Sequence, residues 1–137
     1  MTVEDLFWLL LDKRPFIPVC KLPQDVCAEI GAATTIVRLS RSTLTHIIGD
    51  HVDVDVSQLM MMPKAIQWGL LVDDRERPNH IIASYQDPYA TARRYIAVMK
   101  ITRNRKEIWI STFHRSKERQ TRRILEKGRI LKKHDHQ

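Results

Sequence analysis

Apolar and polar residues follow two different patterns along the chain, and the change between them falls near residue 70. Before that point, apolar residues recur every three or four positions between Pro and Gly breaks, which predicts amphipathic helices. After it, they come in short runs rich in Val, Ile and Tyr, a composition typical of β-strands. We therefore expect most helices to precede a sheet.

The helical part carries start and stop signals. Thr2 followed by Asp5 is a capping-box pattern, Gly31 is a stop residue, and Ser40 is a candidate N-cap after the β-branched run TTIVRLS. The first helix is expected from about residue 3 to Lys13. The further predicted helices contain QDVCAEI, STLTHIIGDH and DVSQLMMMPKAIQWG, the last divided in two near Pro63.

Four extended runs follow, and they predict an antiparallel meander. They are LLVDD, HIIASYQ, RRYIAVMKIT and KEIWISTFH. The segment RSKERQTRRILEKG then has helical spacing but few apolar residues. The predicted fold is therefore α+β, with N-terminal helices packed on a four-stranded antiparallel sheet and a basic C-terminal helix. We divide it into an N-terminal helical extension, residues 1–32, and a main domain, residues 33–137.

Composition narrows the class of protein. The chain has 137 residues, 43% of them apolar, and contains no apolar stretch of the roughly 20 residues that a membrane helix needs. We expect a soluble, cytoplasmic protein that makes no membrane contact. Cys20 and Cys27 are interpreted as free thiols, because two cysteines in such a chain form a disulfide or a metal site less often.

Charge is distributed unevenly. Residues 1–85 hold 8 Lys and Arg against 11 Asp and Glu, whereas residues 86–137 hold 15 against 5. A basic half of this kind attracts polyanions and predicts salt-sensitive binding of nucleic acid. The alternative is that the basic charge serves solubility alone.

The last predicted strand ends in residues suited to acid–base chemistry. Strict alternation would place Thr112 and His114 on one face, with Ser111 and Arg115 on the other. His51, at the end of the third helix, supplies a second imidazole. Two histidines can share general base and general acid duty near neutral pH.

These residues suit RNA cleavage by attack of the 2′-hydroxyl on its own phosphate, a reaction that needs no metal and no cofactor. In this hypothesis His51 and His114 move protons, with Arg115 and Thr112 completing the catalytic set. Arg115, with Lys100 or Arg94, stabilises the phosphate. The residues expected to contact or orient the substrate are Ser40, Thr43, His46, Arg94, Lys100, Ser111 and Arg119.

The order of LSRSTLTHIIGDHVDV, MMMPKAIQWGLLV and RRYIAVMKITRNRKEIWISTFHR resembles the phage-type nuclease domains of the barnase/EndoU/colicin/RelE (BECR) superfamily, over about residues 36 to 130. The resemblance implies a metal-independent ribonuclease, acting on tRNA or mRNA, with a possible cognate antitoxin or immunity protein. Residues that match the family pattern are Ser40, Thr43, His51, Ser111, Thr112, His114 and Arg115. The chain departs from it at His46, where Lys is expected, and at Asp50, where a basic residue is expected.

Two other interpretations stay open. One is a non-catalytic nucleic-acid-binding module that contacts phosphates through the basic helix at 115–127. The other is an interaction protein whose acidic N-terminal part covers its own basic groove.

Overall fold

The computed structural model describes residues 1–51, 54–90 and 93–133, which form one mixed seven-stranded sheet with helices on both faces. The strand order is β1-β2-β6-β5-β4-β3-β7. The helices are α1 (Val3–Leu10), α2 (Gln24–Ile30), α3 (Arg41–Asp50), α4 (Val56–Leu59), α5 (Met62–Trp68) and α6 (Glu118–Lys127). The strands are β1 (Phe16–Lys21), β2 (Ile36–Ser40), β3 (Leu70–Asp73), β4 (His80–Gln86), β5 (Arg94–Ile101), β6 (Ile108–Ser116) and β7 (Arg129–Lys132).

The predicted four-stranded antiparallel sheet is wrong, although its four strands are present. Strands β3, β4, β5 and β6 form the expected antiparallel meander. The sheet is extended on one side by β2 and β1 and on the other by β7. Because β2 pairs with β6 in parallel, through Val37 opposite Ile108 and Arg38 opposite Trp109, the sheet is mixed.

Residues 1–32 contribute to this sheet and to its core. Strand β1 pairs with β2 along its length. Pro18 has no backbone N–H to donate, and the register shifts between Pro18 and Cys20. Such a proline is tolerated because β1 is an edge strand. Leu9 of α1 and Ile17 of β1 are fully buried in the same apolar cluster as Phe113 of β6. The N-terminal segment therefore packs as part of the main fold.

Several local predictions are confirmed. The Thr2–Asp5 capping box forms at the start of α1, and Gly31 ends α2 in the left-handed region at φ 73°. The Ser40 hydroxyl accepts a hydrogen bond from the Thr43 backbone and caps α3. Each device satisfies backbone groups that a helix end leaves without an intrahelical partner.

The sheet has an inner face, carrying Tyr95, Ala97, Met99 and Ile101 of β5, and an outer face, carrying Ile96, Val98 and Lys100. Helices α1 to α5 contribute their buried residues to the inner-face core. On the outer face, Ile82, Ile96 and Val98 form a separate cluster with Ile124 of α6 packed against it. The basic helix therefore covers the opposite side of the sheet from the other helices.

Strand β6 contains a β-bulge, and beyond it Thr112 and His114 share one face while Arg115 lies on the other, as predicted. Thr112 lies opposite Val98 and Ile110 opposite Met99, so Ser111 has no partner on β5. One extra residue reverses the alternation of side chains beyond it. Phe113 consequently enters the inner core, while His114 lies on the outer face opposite Ile96.

Two further observations concern composition. In the part of the chain that the structure describes, no helix is both long and apolar enough to cross a membrane. Cys20 and Cys27 are free thiols, Cys27 buried and Cys20 half-buried. Burial raises the pKa of Cys20 to about 12.

Candidate functional site

The imidazoles of His51 and His114 lie together at one end of the sheet, 5.1 Å apart between ring centroids and tilted by 31°. His51 is the C-cap of α3 and donates its backbone N–H to the Ile47 carbonyl. Helix α3 packs beside β6, whose pairing with β2 stops at Trp109. Beyond Trp109 the edge of β6 is not paired with β2, so α3 can lie against it. This position of α3 brings the two rings together.

A hydrogen bond fixes the tautomer of His114. Its Nδ1 lies 2.8 Å from the backbone oxygen of Arg115. Because a carbonyl oxygen can only accept, Nδ1 carries the hydrogen and the neutral ring keeps a lone pair on Nε2. His114 is half-buried and presents that nitrogen as a proton acceptor.

Two arginines lie near the histidine pair at the end of β6. Arg94, at the start of β5, lies opposite Ser116 and is therefore a diagonal neighbour of His114, about 7–8 Å away along the sheet. Arg115 lies opposite Tyr95 on the other face. Two cations thus flank the end of β6 from its two sides.

Two residues that sequence reasoning did not select support this end of the sheet. Tyr95 is buried and stacks on Phe113 at 5.5 Å between centroids. Burial raises the pKa of its phenol, and the Arg93 and Arg115 guanidiniums partly oppose that rise. The only sequence signal for Tyr95 is its place in the inner-face alternation of β5.

Asp55, four residues after His51, is the second such residue. As the N-cap of α4, its carboxylate accepts hydrogen bonds from the Ser57 hydroxyl at 2.7 Å and the Gln58 backbone at 2.9 Å. These hydrogen bonds, with the nearby Arg93 guanidinium, lower the pKa of Asp55. The capping pattern D-x-x-Q in the sequence is the signal that could have found it.

The two departures from the family pattern contact each other. His46 Nε2 lies 2.8 Å from Asp50 Oδ2, one helical turn away on α3. Both side chains are more than half exposed. The Asp50 carboxylate therefore contacts His46, and the imidazole that contacts His114 is that of His51.

The other predicted site residues are spread over a wider area. Thr112 shares the outer face with His114, and Ser111 is exposed at the bulge. Ser40 and Thr43, whose hydroxyls are hydrogen-bonded at 3.0 Å, lie at the start of α3. Along the helix axis they are about 16 Å and about 12 Å from His51 at its far end.

Two predicted cations also lie apart from the pair. Lys100 lies opposite Trp109. It is four residues along β5 from Ile96, the residue opposite His114, a distance of about 13 Å. Arg119 is exposed on α6. The structure thus places His51 in contact with His114, with Thr112 and Arg94 on the same face of the sheet and Arg115 on the opposite face.

In comparisons with known proteins, no family model, no curated protein and no solved structure matches the chain. Within residues 1–51, 54–90 and 93–133, no group of three His, Cys, Asp or Glu side chains is placed to hold a metal ion.

Proposed function

We propose that the protein is an endoribonuclease that cleaves RNA without a metal ion, using His51 and His114 for proton transfer. The observation that carries the proposal is the 5.1 Å contact between two imidazoles that lie 63 positions apart in the sequence. The resemblance to phage-type BECR nuclease domains supports the same reaction.

The proposed reaction is an internal transesterification. Nε2 of His114 removes the proton from a ribose 2′-hydroxyl, whose oxygen attacks the adjacent phosphorus. His51, in its protonated form, gives a proton to the departing 5′-oxygen as the P–O bond breaks. The products are a 2′,3′-cyclic phosphate and a 5′-hydroxyl. After the step His114 is protonated and His51 is neutral, the reverse of their starting states.

Arginine supplies the electrostatic part of the reaction. The phosphate gains negative charge as the 2′-oxygen attacks, and a guanidinium stabilises that charge with paired N–H donors. Arg94 and Arg115 flank the end of β6 from its two sides and are assigned this role. Thr112, on the same face as His114, is assigned to substrate orientation.

The basic half of the chain favours RNA as the substrate. Residues 86–137 carry 15 Lys and Arg against 5 Asp and Glu, and they include β5, β6 and α6. We place the activity in the cytoplasm because Cys20 and Cys27 are free thiols. The substrate proposed is tRNA or mRNA, as the resemblance implies. A ribonuclease of this kind would require a cognate inhibitor protein in its own host.

The proposal is tested with labelled tRNA and mRNA in EDTA, comparing wild type with His51→Ala, His114→Ala and His80→Ala. His80 is the matched control, because its Nδ1 is also hydrogen-bonded to a backbone oxygen, that of Pro78. It lies opposite Lys100, at the end of β4 away from the histidine pair. We expect at least about a 100-fold loss of cleavage for the first two variants and none for the third. Equal cleavage by all four proteins would reject the proposal.

The charge distribution also favours a second candidate, a nucleic-acid-binding module without catalysis. It predicts a salt-sensitive gel shift with RNA that stays intact after long incubation. The same experiment separates the two functions, because cyclic phosphate ends form only if the wild type cleaves.

A further inference from the structure

Helix α6 lies over the outer face of the sheet without filling the space beneath it. Every residue of α6 is described, and none of them is buried. Ile124 alone joins the apolar cluster of Ile82, Ile96 and Val98. Between helix and sheet is a cavity of about 320 Å³, hereafter the slot, which has His114 in its lining. This volume is at the lower end of the range for small-ligand sites.

The slot has an apolar floor and wall and a polar rim. Ile82, Ile96 and Val98 form the floor and are each at most 8% exposed, and Ile124 forms the wall. Such a lining suits a flat ring, because burying its faces removes apolar surface from water. The rim carries the cations Arg77, Arg123 and Lys127, the carboxamide of Gln120 and the carboxylates of Asp74 and Glu76.

The rim cations differ in their availability. Arg77 is bound to Asp74 at 3.1 Å, and Lys127 to Glu76 at 3.3 Å. Arg123 makes no hydrogen bond or ion pair with any residue in the described ranges. It is therefore the rim cation that can contact a ligand phosphate without first breaking an ion pair.

Gln120 adds a directional group at the edge of the slot. Its Oε1 accepts a hydrogen bond from the Lys117 backbone at 3.2 Å, which fixes the carboxamide. The amide nitrogen on the other side remains a donor. A donor at the edge of an apolar slot matches the carbonyl oxygens and ring nitrogens of a nucleobase.

We infer that the slot binds the nucleobase next to the scissile phosphate, with the base on Ile82, Ile96 and Val98 and an adjoining phosphate on Arg123. The inference rests on the proposed function, since it makes the slot a substrate subsite of the His51–His114 site. His114 belongs to both, and a base seated in the slot places its own ribose beside that imidazole.

Arg123→Ala is the first test, with Arg122→Ala as the matched control. Arg122 is the adjacent residue on α6, 72% exposed and paired with Glu118 at 3.4 Å, and it does not line the slot. Two measurements are made: cleavage of a labelled RNA hexamer, and anisotropy binding of the same hexamer with 2′-deoxy sugars, which cannot be cleaved by this mechanism.

We expect Arg123→Ala to weaken binding of the deoxy hexamer about tenfold and to raise KM similarly, with kcat within twofold. Arg122→Ala should stay within twofold of wild type in both. Ile124→Trp, which fills the slot from the helix side, should remove the preference among hexamers of different base composition. Circular dichroism and melting curves show whether each variant is folded.

The outcomes separate the two proposals. Wild-type cleavage with equal effects of the two arginine variants, or an unchanged base preference in a folded Ile124→Trp, overturns the slot and leaves the ribonuclease standing. An absence of wild-type cleavage overturns the proposed function. In that case the deoxy hexamer still tests the slot, because equal binding by both arginine variants rejects it as a nucleotide site.

Discussion

His46 and Asp50 face each other across one turn of α3, with 2.8 Å between Nε2 and Oδ2. Asp50 precedes His51 in the sequence, yet its carboxylate is bound to the histidine four residues back. The acidic neighbour that would otherwise act on His51 is thus directed to the exposed side of the helix.

The first prediction follows from this pairing. His46→Ala removes an exposed ion pair, which contributes little stability, and leaves the His51–His114 contact in place. We expect its initial rate of RNA cleavage to stay within about threefold of wild type, whereas His51→Ala loses about 100-fold or more. A comparable loss in both variants would show that His46 takes part in the reaction.

The second prediction concerns Ser40, which caps α3. Ser40→Ala removes the acceptor for the Thr43 N–H, so we expect the free energy of unfolding to fall by about 1 kcal/mol in urea titrations. Ser40→Asp keeps a capping acceptor and should stay close to wild type. If Ser40→Asp were stable but cleaved RNA poorly, the hydroxyl would belong to the substrate site.

The third prediction tests whether α1 is part of the core. Leu9 is fully buried and Leu11, at the end of the same helix, is 64% exposed. Leu9→Ala should cost about 2–5 kcal/mol of unfolding free energy, because it leaves a cavity in a packed core. Leu11→Ala should cost less than about 0.5 kcal/mol.

The same pair of variants examines the idea of an acidic N-terminal cover. A detachable cover predicts that Leu9→Ala strengthens RNA binding while the rest of the protein keeps its melting temperature. Loss of folding together with loss of binding would instead show that residues 1–32 belong to the main structure.

The fourth prediction concerns pH and Cys20. Burial raises the pKa of this thiol from 9.0 to about 12. Below pH 9 the thiol is neutral in both folded and unfolded chains, so it adds no pH dependence. Between pH 9 and 12 it ionises only in the unfolded chain, so stability falls as the pH rises.

Comparison of wild type with Cys20→Ala isolates this effect, because the tyrosines and lysines titrate in both proteins. The free energy of unfolding, measured in urea at pH 8 and pH 10, should decrease more for wild type than for the variant. An equal decrease would mean that the Cys20 thiol is accessible to water in the folded protein.

The sequence predicted those elements whose signals are local. The capping box at Thr2, the stop at Gly31 and the N-cap at Ser40 depend on hydrogen bonds within a few residues, and all three are confirmed. The meander β3 to β6 was likewise predictable, because short turns connect strands that neighbour one another in sequence. The roles assigned to the site residues remain predictions.

The missed features depend on distant contacts. Strand β1 follows Pro15 and contains Pro18, residues that locally indicate a break rather than a strand, and its pairing with β2 is what makes it a strand. The short strand β7 has two basic residues among its four and gains its order from β3. The parallel β2–β6 pairing joins segments about 70 residues apart, for which the sequence contains no local signal.

The bulge at Ser111 makes the site sensitive to chain length. Phe113 reaches the core and His114 the outer face only because one residue of β6 has no partner on β5. Loss of a single codon in this strand would restore strict alternation, exposing a phenyl ring and directing an imidazole into the core. An in-frame deletion of one codon, which leaves every other part of the gene product intact, would therefore inactivate the site more completely than most missense changes around it.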